Sequence, residues 1–118
     1  MAVYTIARYQ VRPEASATAE QAMRDFADYV RRELPDSSWT TYREREAPTR
    51  FVAMARADDV AADARHRASP GMQAFAAAMA PLLVGEADPS ELELVTSSDL
   101  QRRWKGPSER SKRRPRPR

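Results

Sequence analysis

The stretch RHRASPGMQAF, residues 65–75, contains His66, the one histidine of a chain without cysteine. An unperturbed imidazole titrates at about 6.5, so His66 is the side chain best suited to take or relay a proton near neutral pH. It could act as a general base toward an acidic hydroxyl, or orient one through a hydrogen bond. A third reading is structural: His66 falls where a short helix ends, and an imidazolium there favours the helix dipole. Cysteine nucleophiles, disulfides and multi-histidine metal sites are excluded by composition. Asp58, Asp59 and Asp63 precede His66, but they read as the first turns of that helix and not as metal-ligand spacing.

Several side chains are of a type that lines a flat pocket for an aromatic ligand: Trp39, Tyr42, Phe51, Phe75, Met54 and Met72. Phe51 and Phe75 serve equally well as core, and methionine fills irregular gaps anywhere. Trp39 and Tyr42 each carry a polar tip that wants a partner. Tyr9 shares a strand face with Thr5 and Ala7, whose small side chains leave room beside it. Arg43, Arg45, Arg50 and Arg56 alternate with Glu44 and Glu46, the pattern of a solvated, mutually paired hairpin. Arg56 stands apart because it ends a strand beside the short helix, so the candidate binding set is Trp39, Tyr42, Tyr9, Arg56, Met72 and Phe75.

These residues need elements to position them. AVYTIARYQV (2–11) alternates and is rich in β-branched and aromatic residues, which predicts a strand ended by Pro13. Over 13–34, Ala19, Ala22, Met23, Phe26, Ala27, Val30 and Leu34 recur at helical steps. Ser16 or Thr18 could cap that helix, with Glu20 near a capping-box position and Arg31 and Arg32 in the last turn. WTTYRERE (39–46) and RFVAMARA (50–57) predict an antiparallel hairpin joined by APT (47–49). Asp58 or Asp59 begins a helix through about Arg65. Ser69 is an N-cap with Pro70 at the first position of the next helix, which runs to about Leu83. Pro81 predicts a kink or early end near Ala77, and Gly85 a stop. ELELVTS (91–97) predicts the last strand.

The order β-α-β-β-α-β, with the second helix broken, predicts an α+β, ferredoxin-like domain with a four-stranded antiparallel sheet and both helical layers on one face. The opposite face would carry Tyr4 and Ile6 beside Arg8 and Gln10, a mixture that predicts a homodimer packed sheet to sheet.

The chain has 118 residues, enough for one domain with its own core. Residues 1–98 hold eleven arginines against fifteen carboxylates, a net of −4, while 99–118 hold nine basic residues against two acids, a net of +7. The expectation is therefore a mildly acidic domain over 1–98 and a basic, disordered tail over 99–118. The tail could contact nucleic acid phosphates, but it has only Trp104 for stacking, so it is expected to be a solvated appendage and nucleic acid is not an expected partner. No apolar run approaches the roughly 18 residues of a membrane span. MAVYTIARYQV lacks the pattern of a signal peptide, which gives a cytoplasmic expectation.

In this order and spacing, IARYQVRP, AMRDFADYVRREL, PDSSWTTYRE, RFVAMARADD, HRASPGMQAF and PLLVGEADPSELELV resemble the antibiotic biosynthesis monooxygenase family, a branch of the dimeric α/β-barrel superfamily, over about residues 3–97. The resemblance implies a dimeric α/β barrel with one small pocket per subunit, between the sheet and the broken helix. It implies oxidation of a quinol or polyketide-like phenol by molecular oxygen with no bound cofactor, His66 acting as base or orienter. The alternative it implies is a non-catalytic dimer that holds an aromatic metabolite or haem. The haem-degrading branch pairs its histidine with an asparagine on the first strand and a tryptophan ending the third. The matching positions here are Ala7 and Arg56, which points away from haem degradation.

Overall fold

The computed structural model describes residues 1–99. The basic tail expected over 99–118, with Trp104 in it, lies outside the described residues apart from Asp99. Four strands, β1 (Val3–Gln10), β2 (Ser37–Glu44), β3 (Ala47–Ala57) and β4 (Asp88–Leu92), form one antiparallel sheet in the order β2-β3-β1-β4. Three α-helices join them: α1 (Ser16–Glu33), α2 (Val60–Ala68) and α3 (Pro70–Met79). This is the α+β, ferredoxin-like arrangement that the sequence pattern predicts.

α1 buries Ala19, Met23, Phe26 and Val30, one stripe at helical spacing. Its start differs from expectation. Neither Ser16 nor Thr18 caps it. A 3-10 turn, Pro13–Ala15, runs straight into the helix, and the Ser16 N–H donates to the Pro13 carbonyl. Glu20 instead sits between Arg24 and Arg43, whose guanidinium groups hold its carboxyl below the usual range.

The hairpin turn is tighter than predicted. Glu44 pairs with Ala47, so Arg45 and Glu46 alone make the turn and APT belongs to β3. Two contacts with β1's end hold that stretch extended: Val11 N–H donates to the Thr49 carbonyl (3.0 Å), and Gln10 Nε2 to Thr49 Oγ1 (2.9 Å). Pro48 is tolerated because it lies beside the turn.

Two caps set the broken helix. Asp59 accepts from the Ala62 N–H (2.8 Å) and opens α2. α2 then runs to Ala68, beyond the predicted end, which places His66 inside its last turn. Ser69 behaves as predicted: it is extended at ψ 149°, and its hydroxyl accepts from the Met72 N–H (3.1 Å) with Pro70 in the first turn. α3 continues to Met79, two residues past the predicted break. Pro81 enters the first turn of a separate 3-10 segment, Ala80–Leu82, where its missing N–H is not needed.

β4 lies earlier than predicted, at 88–92 instead of 91–97. Its register against β1 runs from Arg8↔Asp88 to Tyr4↔Leu92. Every residue of β4 is exposed, so the ELELV alternation marks no buried face. Pro89 is accommodated because β4 is an edge strand.

The core lies between the sheet and the helices. Phe26 is its hub: the ring stacks on Phe75 (4.9 Å between centroids) and on Tyr29 (6.3 Å), and meets Trp39 edge-on (4.9 Å). α1 and α3 approach closely at Gly71, where a Cβ would overlap the Tyr29 ring.

Candidate active site

A cavity of about 530 Å³ opens between the sheet and the broken helix. Its sheet floor is made of small residues, Thr5, Ala7, Ala53 and Ala55. That choice creates the space, because larger side chains here would meet α2 and α3 and close it. Trp39, Met72 and Phe75 supply flat or pliable apolar walls. A mostly apolar pocket with few polar groups is the usual setting for a small organic ligand.

His66 lines this cavity and is only 6% exposed. Its ring meets Phe26 edge-on at 5.6 Å. Burial lowers its pKa; the Asp63 carboxylate opposes that shift and the Arg67 guanidinium adds to it. The lowered pKa favours the neutral ring near neutral pH, in the last turn of α2. No side chain among the described residues hydrogen-bonds a His66 ring nitrogen. Neither nitrogen is fully enclosed, so both keep access to cavity or solvent. The His66 carbonyl is held by Ser69, whose hydroxyl donates to it (2.9 Å).

Tyr9, from β1, also lines the cavity and meets Phe75 edge-on at 6.0 Å. Burial raises its pKa, so it presents a neutral phenol, again with no side-chain partner among the described residues. Thus an imidazole and a phenol reach a mostly apolar cavity, which Thr5, Asp63, Arg67, Ser90 and Glu91 also line.

Of the sequence-predicted set, His66, Tyr9, Trp39, Met72 and Phe75 come together here. Tyr42 and Arg56 do not. Trp39, Thr41 and Arg43 face the helices: Trp39 packs on Phe26, Thr41 Oγ1 contacts Met23 Sδ, and Arg43 lies over the Phe51 ring. Tyr42 alternates to the opposite face, 55% exposed. Arg56 pairs across strands with Tyr4 and Ser38 on that same face. Its guanidinium bonds Asp58 (2.6 Å), which together with Tyr4 holds it protonated, and its Nε is enclosed without a partner among the described residues. Ala7 thus lies on the cavity floor, and Arg56 faces away from it.

Sequence reasoning missed Asp63, Arg67 and the β4 segment Pro89–Glu91, all of which border the cavity. For the first two a signal existed. Positions 63, 66 and 67 are three and four residues apart on a helix and share one face. Among the described residues no cluster of metal-ligating side chains occurs.

The β-α-β-β-α-β order and the cavity under a broken second helix define a ferredoxin-like α+β domain with an internal cavity. The sequence profile of the antibiotic biosynthesis monooxygenase family matches residues 2–78, and the chain belongs to that family. The fold is similar to that of an antibiotic biosynthesis monooxygenase candidate from Caulobacter crescentus CB15 (TM-score 0.75, 21% identity, covering 80% of this chain and 91% of that one). It is also similar to SnoaB from Streptomyces nogalater, a cofactor-independent oxygenase solved as a single-residue mutant (TM-score 0.71, 24% identity, 82% and 96% covered). A conserved protein from Methanosarcina mazei Go1 is similar too (TM-score 0.72, 16% identity, 78% and 91% covered). No curated protein matches the sequence significantly. Among the described residues, no helix is long and apolar enough to cross a membrane.

Proposed function

We propose that the protein is a cofactor-independent monooxygenase that oxidises a quinol or polyketide-like phenol with molecular oxygen. The observation that carries the reading is a buried imidazole with no side-chain hydrogen bond among the described residues, at the wall of a mostly apolar cavity, in a chain of the monooxygenase family. Its likeness to SnoaB supports the absence of a cofactor in the chemistry.

His66 takes the proton of the substrate hydroxyl, and the oxyanion left behind gives up electrons more readily than the neutral phenol. Tyr9 donates a hydrogen bond to a second substrate oxygen, while Trp39, Met72 and Phe75 hold the ring flat. Oxygen then adds to a ring carbon. Loss of water leaves one oxygen atom on the product, so a phenol becomes a quinone and a quinol becomes a hydroxyquinone. Each conversion consumes one O2 and releases one water, and the substrate supplies all the electrons. No reductant enters.

The working unit in this reading is a homodimer. Ile6, Val52 and Met54 lie side by side on the uncovered sheet face, next to Tyr42, and Met54 is 42% exposed. A second copy covering that face would bury it, and Met54→Glu would then yield a monomer by light scattering at fixed protein concentration.

The deciding experiment measures oxygen uptake and product mass with a panel of quinols and anthrone-type phenols, for wild type and His66→Ala. Turnover that falls about 100-fold or more in the variant fits a general base. Tight binding of the panel with no product, by wild type, would replace this reading with non-catalytic capture of an aromatic metabolite. Equal turnover by both proteins would remove His66 from the chemistry.

A further inference from the structure

We propose that Asp63 is a positioning residue for His66: its buried carboxylate, one helical turn earlier on the cavity side of α2, holds the charge that the imidazole acquires with the substrate proton, and Arg67 tempers that hold. The inference rests on the reading of His66 as a base.

An aspartate in the first turn of a helix ordinarily sits in water, where it complements the dipole. Asp63 is only 7% exposed and borders the cavity. Its one side-chain partner among the described residues is Arg67, at 2.6 Å. Burying a carboxylate costs several kcal/mol, roughly, unless opposite charge repays it. The same i,i+4 pair on the outer side of α2 would avoid that cost. Its inward placement puts negative charge beside His66 at i,i+3 spacing.

The surroundings leave Asp63 little competition. Phe26 of α1 meets the His66 ring, and the cavity that His66 lines is also bordered by Trp39 of β2, Ala53 and Ala55 of β3, and Met72 and Phe75 of α3, none of them charged. β1 brings Tyr9, a neutral phenol, and β4 brings Glu91 at the exposed border. On α2 itself, Arg65 turns to Asp36 (2.9 Å). Arg67 remains, with its side chain 71% exposed and bonded to Asp63. A positive charge formed on His66 is opposed by burial and by Arg67 and favoured by Asp63. Burial sets the direction in which the His66 pKa moves, and the Asp63–Arg67 pair on its own helix tunes it.

The chain's single histidine makes the test direct, because its imidazole C–H resonances cannot be confused with others. The full chain, without substrate, is titrated by proton NMR as wild type, Asp63→Asn, Asp63→Glu and Arg67→Gln. The His66 midpoint is expected to fall in Asp63→Asn, to rise in Arg67→Gln, and to return toward wild type in Asp63→Glu. Should Asp63→Asn not fold, Arg67→Gln still decides. Unchanged midpoints in folded variants, or a fall in Arg67→Gln, would overturn the proposal. Because no substrate is present, that outcome is separate from a failure of the oxygenase reading, which oxygen uptake by His66→Ala decides. If both readings hold, the acid limb of the pH–rate profile moves with the NMR midpoint.

Discussion

His66 makes folding stability depend on pH in a window that no other side-chain type shares. In the unfolded chain its imidazole titrates at about 6.5. In the folded protein burial lowers that value. Above the unfolded pKa both states hold a neutral ring, and His66 adds no pH dependence. As pH falls below it, the unfolded chain binds a proton that the folded one refuses, so stability declines. The decline ends once pH passes below the folded pKa. One proton taken up only by the unfolded state gives a maximal slope of about 1.4 kcal/mol per pH unit. A domain of this size is stable by about 5–15 kcal/mol. One pH unit of full slope thus changes the folded-to-unfolded ratio about tenfold. A backbone hydrogen bond and Arg12 lower Glu14, Arg43 and Arg24 lower Glu20, and the difference between wild type and a variant without the histidine isolates His66 in the interval just below its unfolded pKa. The assay is urea unfolding followed by circular dichroism at half-unit steps from pH 7.5 to 5, at constant protein concentration, for wild type and His66→Gln. Wild type should lose stability across the window while His66→Gln stays nearly flat. Parallel lines for the two proteins would refute the argument that His66 is buried neutral.

Three further outcomes follow from packing. Gly71→Ala should cost about 1–3 kcal/mol, because its methyl would overlap the Tyr29 ring and force α1 from α3; a urea midpoint measures it, and Gly71→Ala combined with Tyr29→Ala should recover part of the loss. Phe26→Ala should cost about 3–5 kcal/mol by the same measurement, since the ring is fully buried among Phe75, Trp39, Tyr29 and His66. Ser69→Ala should cost about 1–2 kcal/mol, removing the acceptor of the Met72 N–H and the donor to the His66 carbonyl, and hydrogen exchange should quicken first around residues 66–73.

What the sequence made legible is what local chemistry decides. Ser69 followed by Pro70 is a helix start whatever surrounds it. The stripe Ala19, Met23, Phe26, Val30 needs only a helix and a core. The hairpin turn and β4 were misplaced because long-range register decides them. Pro48 looks like a loop residue until Val11 and Gln10 bind Thr49. ELELV looks like a strand until β1 pairs with 88–92 instead. The placement of Tyr42 was a different matter, since its signal was present. Trp39 and Tyr42 are an odd number of residues apart on one strand, so they cannot share a face, and an inward Trp39 sends Tyr42 outward. Asp63 was missed for want of the complementary argument on a helix, where three-residue spacing to His66 joins them.

The break at Ser69 explains why a cavity exists in so small a domain. One straight helix over 60–79 would lay a single apolar stripe across the sheet and exclude ligand. Ser69 at ψ 149° instead re-aims the chain: α2 packs on β2 and β3, and α3 on α1. Where the two diverge, the alanines and threonine of the sheet leave the space unfilled. The same Ser69 hydroxyl grips the His66 carbonyl and starts α3, so cap, break and imidazole form one unit. A residue that reads as punctuation in the sequence thereby fixes the position of His66. The small floor residues and the serine cap consequently constrain each other: enlarging the floor would fill the volume that the break creates, and losing the cap would loosen the wall that makes that volume a site.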